Sequence, residues 1–313
     1  MTVHQKITTR GWLAFEQNVL HRLHLETAAF PLCPDPGLGI YLKGRGVKVS
    51  VNDPLQSNWV SGISRLQNGT ETMSADDVAT VLDDAYVPGY KLSNPALANW
   101  FTETDAWWFD NVRKNIEKLA SPFSRSIAGQ LAIATGDYAR SFSGPDRALR
   151  QPLSHAFRRF WSIEPSPVAG TAVCSNKPVD EYITDHTTME NYSDLHFIRL
   201  PRPHSRSTRD SLGDDAWREE WIRGGNDFWD NIDERIAGML GTATETKTQY
   251  LRIVERFLEK AAYAKRWAIA HVESGFISTQ DIIDVISPIR RVESIYTKDL
   301  SELTGVKAVI IIA

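Results

Sequence analysis

Residues 31–53 read PLCPDPGLGIYLKGRGVKVSVND, and their types and order suit nucleotide chemistry. A glycine-containing turn precedes a short helical patch. The alternating apolar run Val47, Val49, Val51 follows and closes on Asn52-Asp53. Nucleotide-binding α/β folds use this order of strand, turn, helix, strand and acid: the turn cradles the cofactor and the acid takes its ribose hydroxyls. Here Pro34 and Pro36 stand where such turns offer glycine. Glycine permits φ > 0 and close backbone approach, whereas proline fixes φ and removes an N–H. Gly37 and Gly39 remain available for a shifted turn, and Asp53 for the ribose or for a plain turn.

Two basic runs offer a different chemistry. RLPRPHSRSTR, 199–209, carries Arg199, Arg202, Arg206 and Arg209 without an acid, and HAFRRFW, 155–161, sets Arg158 and Arg159 between aromatics. Arginine suits phosphates and guanine edges. A solvated loop is the plain alternative for each run. His21 and His24 read as helix-surface residues, and acidic pairs such as Asp83-Asp84 and Asp214-Asp215 as solvated charge. No metal-ligand spacing, phosphate loop ending in Lys-Ser/Thr or Gly-x-Ser-x-Gly elbow occurs.

The elements that must position these residues belong to a chain of 313 residues, 42% hydrophobic and 24% charged, with net charge -4. Such a chain buries a sizeable core as one large or two smaller domains, and its overall charge does not select nucleic acid. Two cysteines, Cys33 and Cys174, give no disulfide framework and suit a reducing compartment. No apolar run spans a bilayer, and MTVHQKITTRGW lacks the apolar stretch of a signal peptide. A cytoplasmic protein is expected. Ten tryptophans are many; they read as core packing, with base stacking or an interface as the alternative.

Patterning predicts helices over 12–28 and 40–46 and strands over 30–35 and 47–53. Residues 54–165 read as mostly helical. Ser74 and Thr102 stand as N-caps, with Trp108, Val112, Ile116 and Leu119 at helical spacing. After Pro167 strands return at 170–176, 194–200, 267–272 and 307–313. Helices separate them at 179–185, 213–240, 245–266 and, capped by Ser278, 278–286. This predicts an α/β, doubly wound Rossmann-like core from 1–53 and 166–313, with a helical insert at 54–165.

Taken in order, these segments resemble the Dam-like, adenine-specific DNA methyltransferase family, which uses S-adenosylmethionine. The resemblance runs through nearly the whole chain. Residues 30–53 are similar to the family's cofactor motif, NWFTETDAWWFDNVRKNIEKL (99–119) to a helix of its insert, and YSDLHFIRLPRPHS (192–205) to the strand bearing its catalytic motif. AKRWAIAHVESGFISTQDIIDVI and YTKDLSELTGVKAVIIIA are similar to the late helix–strand–helix and the closing strands. The resemblance implies a methyltransferase-like fold whose insert, 54–165, is a DNA-recognition subdomain.

The departures fall on the chemistry. The family's Asp/Asn/Ser-Pro-Pro-Tyr/Phe accepts from the target amine and stacks the flipped base. Here those positions hold Arg199, Leu200, Pro201 and Arg202. Arginine is donor-only and sets positive charge beside a nitrogen that becomes positive. In an alternative register CSNKP (174–178) is the catalytic loop with Asn176 as acceptor; otherwise Asn176 ends the third strand beside the cofactor's adenine. The family's early Gly-x-Lys has no counterpart in TTRGWLAFEQN. With Gly-x-Gly replaced by Pro34-Asp35-Pro36, the resemblance implies a cofactor site held at most by Gly37, Gly39, Asp53 and Asn176. It also implies no confident catalytic residue and no metal. Three readings follow: an inactive homologue that binds duplex DNA or pairs with an active methyltransferase or defence-system subunit, as in restriction-modification; an active S-adenosylmethionine-dependent enzyme with atypical motifs; and a protein-interaction module. Arg199, Arg202, Arg206, Arg209, Arg158 and Arg159 are the expected DNA contacts.

Overall fold

The computed structural model describes residues 9–83, 90–142, 144–188, 193–273, 276–301 and 306–313. The first eight residues, Asp84, Tyr192 and 302–305, on which parts of the sequence reading fall, lie outside them. Two compact units emerge. One comprises Met1–Pro54, Gly170–Gly213 and Trp229–Ala313, the other Leu55–Ala169 and Asp214–Phe228.

The first unit is built on seven strands: β1 (Thr27–Phe30), β2 (Lys48–Asn52), β3 (Ala172–Ser175), β4 (Leu195–Arg199), β5 (Trp267–Glu273), β6 (Ser294–Asp299) and β7 (Lys307–Ile312). They lie in the order β3-β2-β1-β4-β5-β7-β6. The first five are parallel, and β7 is antiparallel to both β5 and β6. Parallel strands covered on both faces read as continuous apolar runs, and β5 and β7 show five consecutive buried residues each. The expected strand at 30–35 lies earlier, at 27–30, because Pro31, Pro34 and Pro36 lack the N–H a ladder needs.

Around the sheet lie α1 (Thr9–Leu20), α2 (Gly37–Gly44), α8 (Val179–Thr188), α9 (Thr208–Leu212), α11 (Trp229–Ile236), α12 (Lys247–Lys260) and α13 (Thr279–Ile286). Helix α12 buries Tyr250, Ile253, Val254, Phe257 and Leu258, the 3.6-residue stripe of an amphipathic helix. That stripe packs with Ile198, Trp267, Ile269, Val309 and Ile311 into one core. Each large side chain so buried contributes about 1.5–3 kcal/mol of transfer free energy. Ser278 and Asp281 form a reciprocal capping box that starts α13.

Within this core, β5 carries His271, 4% exposed, whose Nε2 finds no hydrogen-bond partner among the described residues. Burial depresses its pKa against the opposing pull of Glu273, the Ile277 backbone and Asp281. The folded state therefore holds the ring neutral, while the unfolded chain protonates near pH 6.5. As pH falls through that value the unfolded state binds the extra proton, so stability is lost on the acid side. Unfolding by urea at pH 7.5 and 5.5 is expected to show this slope and His271→Gln to flatten it; equal slopes would refute it.

The second unit is helical: α3 (Gln56–Gly62), which continues into a π-helical turn at Ile63–Gln67, then α4 (Ala75–Val81), α5 (Glu103–Ile116), α6 (Pro122–Arg140), α7 (Leu153–Ser162) and α10 (Ala216–Arg223). Ser74 builds the capping box of α4, and Thr102 accepts from the Asp105 N–H at the start of α5. Helix α10 arrives from a distant part of the sequence and completes the core. Its Trp217 and Trp221 are buried against Phe101 and Phe109, and Trp221 Nε1 donates to the Phe109 carbonyl at 2.9 Å. Its Glu219, 1% exposed, accepts from the Gln56 and Ser57 N–H groups that open α3, at 2.8 Å each. Most tryptophans are thus accounted for by packing: Trp100, Trp108 and Trp161 likewise donate to Glu220, Ser154 and the Met73 carbonyl.

The helix expected over 213–240 is instead two, α10 and α11. Gly224, at φ 79°, caps α10 in the left-handed conformation that ends helices at glycine. The segment 214–228, which the sequence reading gave to the α/β core, lies with the helical unit.

Candidate functional site

In a doubly wound sheet the chain leaves β1 to one side for β2 and β3, then crosses to β4 and β5 on the other. Ligands bind outside the carboxyl ends of the strands where this reversal occurs. Here the reversal lies between β1 and β4. The residues after Phe30, Asn52, Ser175 and Arg199 therefore form the candidate site, and the sequence-predicted residues of the first unit fall on these strand ends or just beyond.

The β1–α2 connection, Pro31–Pro36, contains no residue at positive φ. Gly37 and Gly39 lie inside α2 with ordinary helical backbone rather than in a glycine turn. The Gly37 N–H is taken by Asp35 Oδ1 at 2.9 Å. Asn52, wholly buried at the end of β2, ties the neighbouring loops together. Its Nδ2 donates to the Pro31 and Lys177 carbonyls at 3.1 and 3.0 Å, and its Oδ1 accepts from the Lys177 N–H at 2.9 Å. Asp53 is 6% exposed and has a partner within the protein. Asn176 follows β3, separated from β4 by two strands, and its Nδ2 is spent on the Asp53 carbonyl at 2.8 Å. Gly37 and Gly39 are thus part of a helix, Asp53 is buried and Asn176 braces a strand end, so these residues do not fit a ready cradle for S-adenosylmethionine.

The end of β4 carries the most consequential arrangement. Arg199 reaches α1, where it meets Glu16, which is 0% exposed. Arg199 Nε donates to Glu16 Oε1 at 3.1 Å, and Nη2 donates to Oε1 and Oε2 at 2.7 and 2.8 Å. Trp12 Nε1 donates to the same carboxylate. Burial pushes the Glu16 carboxyl up, against the pull of Arg199. Burial also works against the guanidinium, but Glu16 overcomes it and holds Arg199 above the ordinary arginine value. Sequence reasoning missed Glu16. Its signal was a charge on the apolar face of α1, in register with Trp12, Val19 and Leu20, where an unpaired carboxylate would not be buried.

Beside this pair lies a cavity of about 280 Å³. Trp12, Leu13, Leu38, Leu200, Ala270 and Val272 supply its apolar wall; Glu16, Asp35, Arg199 and Arg202 supply its polar groups. Pockets for small ligands combine such apolar walls with a few polar groups, at about 300–1,000 Å³.

Of the six arginines read as phosphate contacts, four meet the condition of being exposed without an ion-pair partner among the described residues. Arg202 and Arg206 follow β4, and Arg158 and Arg159 lie on the outer face of α7 with His155. Arg199 is committed to Glu16, and Arg209 is engaged within the protein. Two residues beyond α7, burial raises Glu164 to about 7 against the pull of Arg65. Among the described residues, no three His, Cys, Asp or Glu side chains converge as a metal site, and no helix is long and apolar enough to cross a membrane.

Five parallel strands in the order 3-2-1-4-5, with an antiparallel seventh strand set between the fifth and sixth, define the first unit as a methyltransferase-like Rossmann fold. No protein-family model matches the chain, and no curated protein matches it. Among solved structures, the rRNA methyltransferase aviRa from Streptomyces viridochromogenes matches 95% of this chain and 81% of its own, at 13% identity and a TM-score of 0.30. At that score it assigns no substrate and no residue role.

Proposed function

We propose that this protein binds duplex DNA on a methyltransferase-like scaffold that does not itself transfer methyl groups, within the wider likeness to Dam-like adenine methyltransferases. The observation that carries this reading is the lock between Arg199 and Glu16. Methyl transfer to an adenine amine needs an acceptor at the end of β4 to take the amine's hydrogen bonds. That place holds a guanidinium, which only donates and whose charge opposes the cation forming on nitrogen. The four unpaired arginines supply the binding. Guanidinium forks on phosphates position a protein on the duplex and release counterions.

Fluorescence anisotropy with a labelled duplex, read across a salt series, tests this. Each lost phosphate contact lowers the slope of log K against log salt by about 0.9. The pair Arg202→Ala, Arg206→Ala and the pair Arg158→Ala, Arg159→Ala are each expected to weaken binding and lower the slope by roughly 2. Unchanged affinity and slope in both pairs would sink the DNA reading. In parallel, label from S-adenosylmethionine is expected not to enter DNA; incorporation that a Glu16 variant alters would return the site to the active enzymes.

A further inference from the structure

The cavity beside β4 has a donor and an acceptor without hydrogen-bond partners among the described residues. Arg199 gives Nε and Nη2 to Glu16, while its Nη1 has no partner among the described residues. Arg202, which also lines the cavity, is exposed and has no ion-pair partner among the described residues. Asp35 lines the same cavity; it uses Oδ1 for the Gly37 N–H, and its Oδ2 has no hydrogen-bond partner among the described residues. Trp12, Leu38 and Val272 add apolar surface to the same lining. An anion alone would meet Asp35 with repulsion, and a cation alone would meet the arginines. A neutral apolar molecule would leave all of these groups unanswered.

We infer that this cavity binds a free α-amino acid with an apolar side chain. Its carboxylate sits on Arg202 and the open edge of Arg199, its ammonium on Asp35, and its side chain against Trp12 and Leu38. Glu16 is the element that makes this workable. It neutralises Arg199 enough to keep that group folded into the wall, yet it occupies only one edge of the guanidinium fork. The volume, about 280 Å³, accommodates a ligand of this size. The same zwitterion also forms one end of S-adenosylmethionine, so the two sources must be separated by experiment.

The test is calorimetric titration of the full-length protein with L-leucine, L-methionine and L-phenylalanine, with their N-acetyl and carboxamide derivatives, and with S-adenosylmethionine. At least one free amino acid is expected to bind saturably. Blocking either charged end is expected to weaken it by about tenfold or more, the loss of a charge-assisted hydrogen bond. In Asp35→Asn, which keeps the acceptor for Gly37, the penalty for N-acetylation is expected to shrink while the penalty for the carboxamide stays. Leu38→Trp, which fills the cavity, is expected to abolish binding with the fold retained by circular dichroism. Three results would overturn the inference: equal binding of free and N-acetylated forms, no saturable binding at millimolar ligand to folded protein, or binding of S-adenosylmethionine with every free amino acid silent. DNA binding is measured separately, so either reading can fail alone.

Discussion

Glu16→Gln is expected to destabilise the protein by about 3–5 kcal/mol, although it changes one oxygen to nitrogen in a side chain of the same shape. The carboxylate is 0% exposed and receives three contacts from Arg199 and one from Trp12. Taking its charge away leaves a guanidinium that cannot deprotonate, three-quarters buried, facing an amide that must now donate toward it. Arg199→Met should cost less in acid than at neutral pH. Without the arginine, the Glu16 pKa rises further above its unfolded value. That protonated state stabilises the fold below the unfolded pKa, and the benefit disappears as pH rises through the folded one. Replacing both residues by methionine should recover much of either loss, because a buried ion pair is offset by its own desolvation. Urea unfolding of the two single variants and the double at pH 7 decides the matter. Additive losses, or single variants within about 1 kcal/mol of the parent, would show that the pair is not coupled as described.

Gly136→Ala should be the most damaging small substitution in the helical unit. In the middle of α6 an alanine is favoured over glycine by about 1 kcal/mol, so helix propensity alone predicts stabilisation. The packing predicts the reverse. A Cβ on Gly136 would overlap the Trp217 indole, with Cζ2 at 2.5 Å, Cζ3 at 2.8 Å and Cη2 closer still. The ring has nowhere to retreat. It is wholly buried, with Phe101 edge-on at 5.3 Å, Phe109 at 5.7 Å and Trp221 at 6.5 Å between ring centres. Overpacking of this kind costs about 1–3 kcal/mol and sometimes more, and it should also disturb the near-ultraviolet dichroism of the tryptophans. Trp217→Phe in the Gly136→Ala background should restore part of the loss by shortening the ring. An alanine variant as stable as the parent would mean that α6 and α10 are less closely packed than described.

What the sequence revealed, and what it did not, follows from the range of the interactions. Alternation at Val47, Val49 and Val51 announced β2, and Ser74, Thr102 and Ser278 announced three helix starts, because strand pleat and N-caps are local effects. The doubly wound class followed from the order of such elements. The position of β1 was misread because FPLCPD is apolar, while its prolines forbid the ladder. Helix α10 was read as part of the α/β core because Gly224 was taken as interior rather than as a stop, and because nothing local says which core an amphipathic turn will join. Glu16 and Arg199 are 183 positions apart, so no spacing rule connects them. Arg199 read as a free cation when only its neighbours in the chain were weighed. Arg158 and Arg159, read as DNA contacts or as part of a solvated loop, lie exposed on helix α7 instead, because Leu153, Ala156 and Phe157 turn the other face of that helix into the core.

The division of the chain among its two units also bears on how it is made. Each unit is assembled from separated stretches, and the helical unit receives Trp217 and Trp221 only after the ribosome has passed the strands β3 and β4. The sheet is completed last, by β7, which is the partner of both β5 and β6. A nascent chain halted before residue 216 therefore holds α5 and α6 with their aromatic surface uncovered. One halted before residue 307 leaves β5 with an open edge. Domains usually fold in turn as they emerge; here the interleaving makes the order of synthesis and the order of packing disagree. A fragment cut at 55–169 would keep most of its apolar core but lose Trp217, Trp221 and Ile222 from it. Any attempt to express the helical unit alone must carry residues 214–228 on a linker, for the same reason that the cell cannot finish either half early.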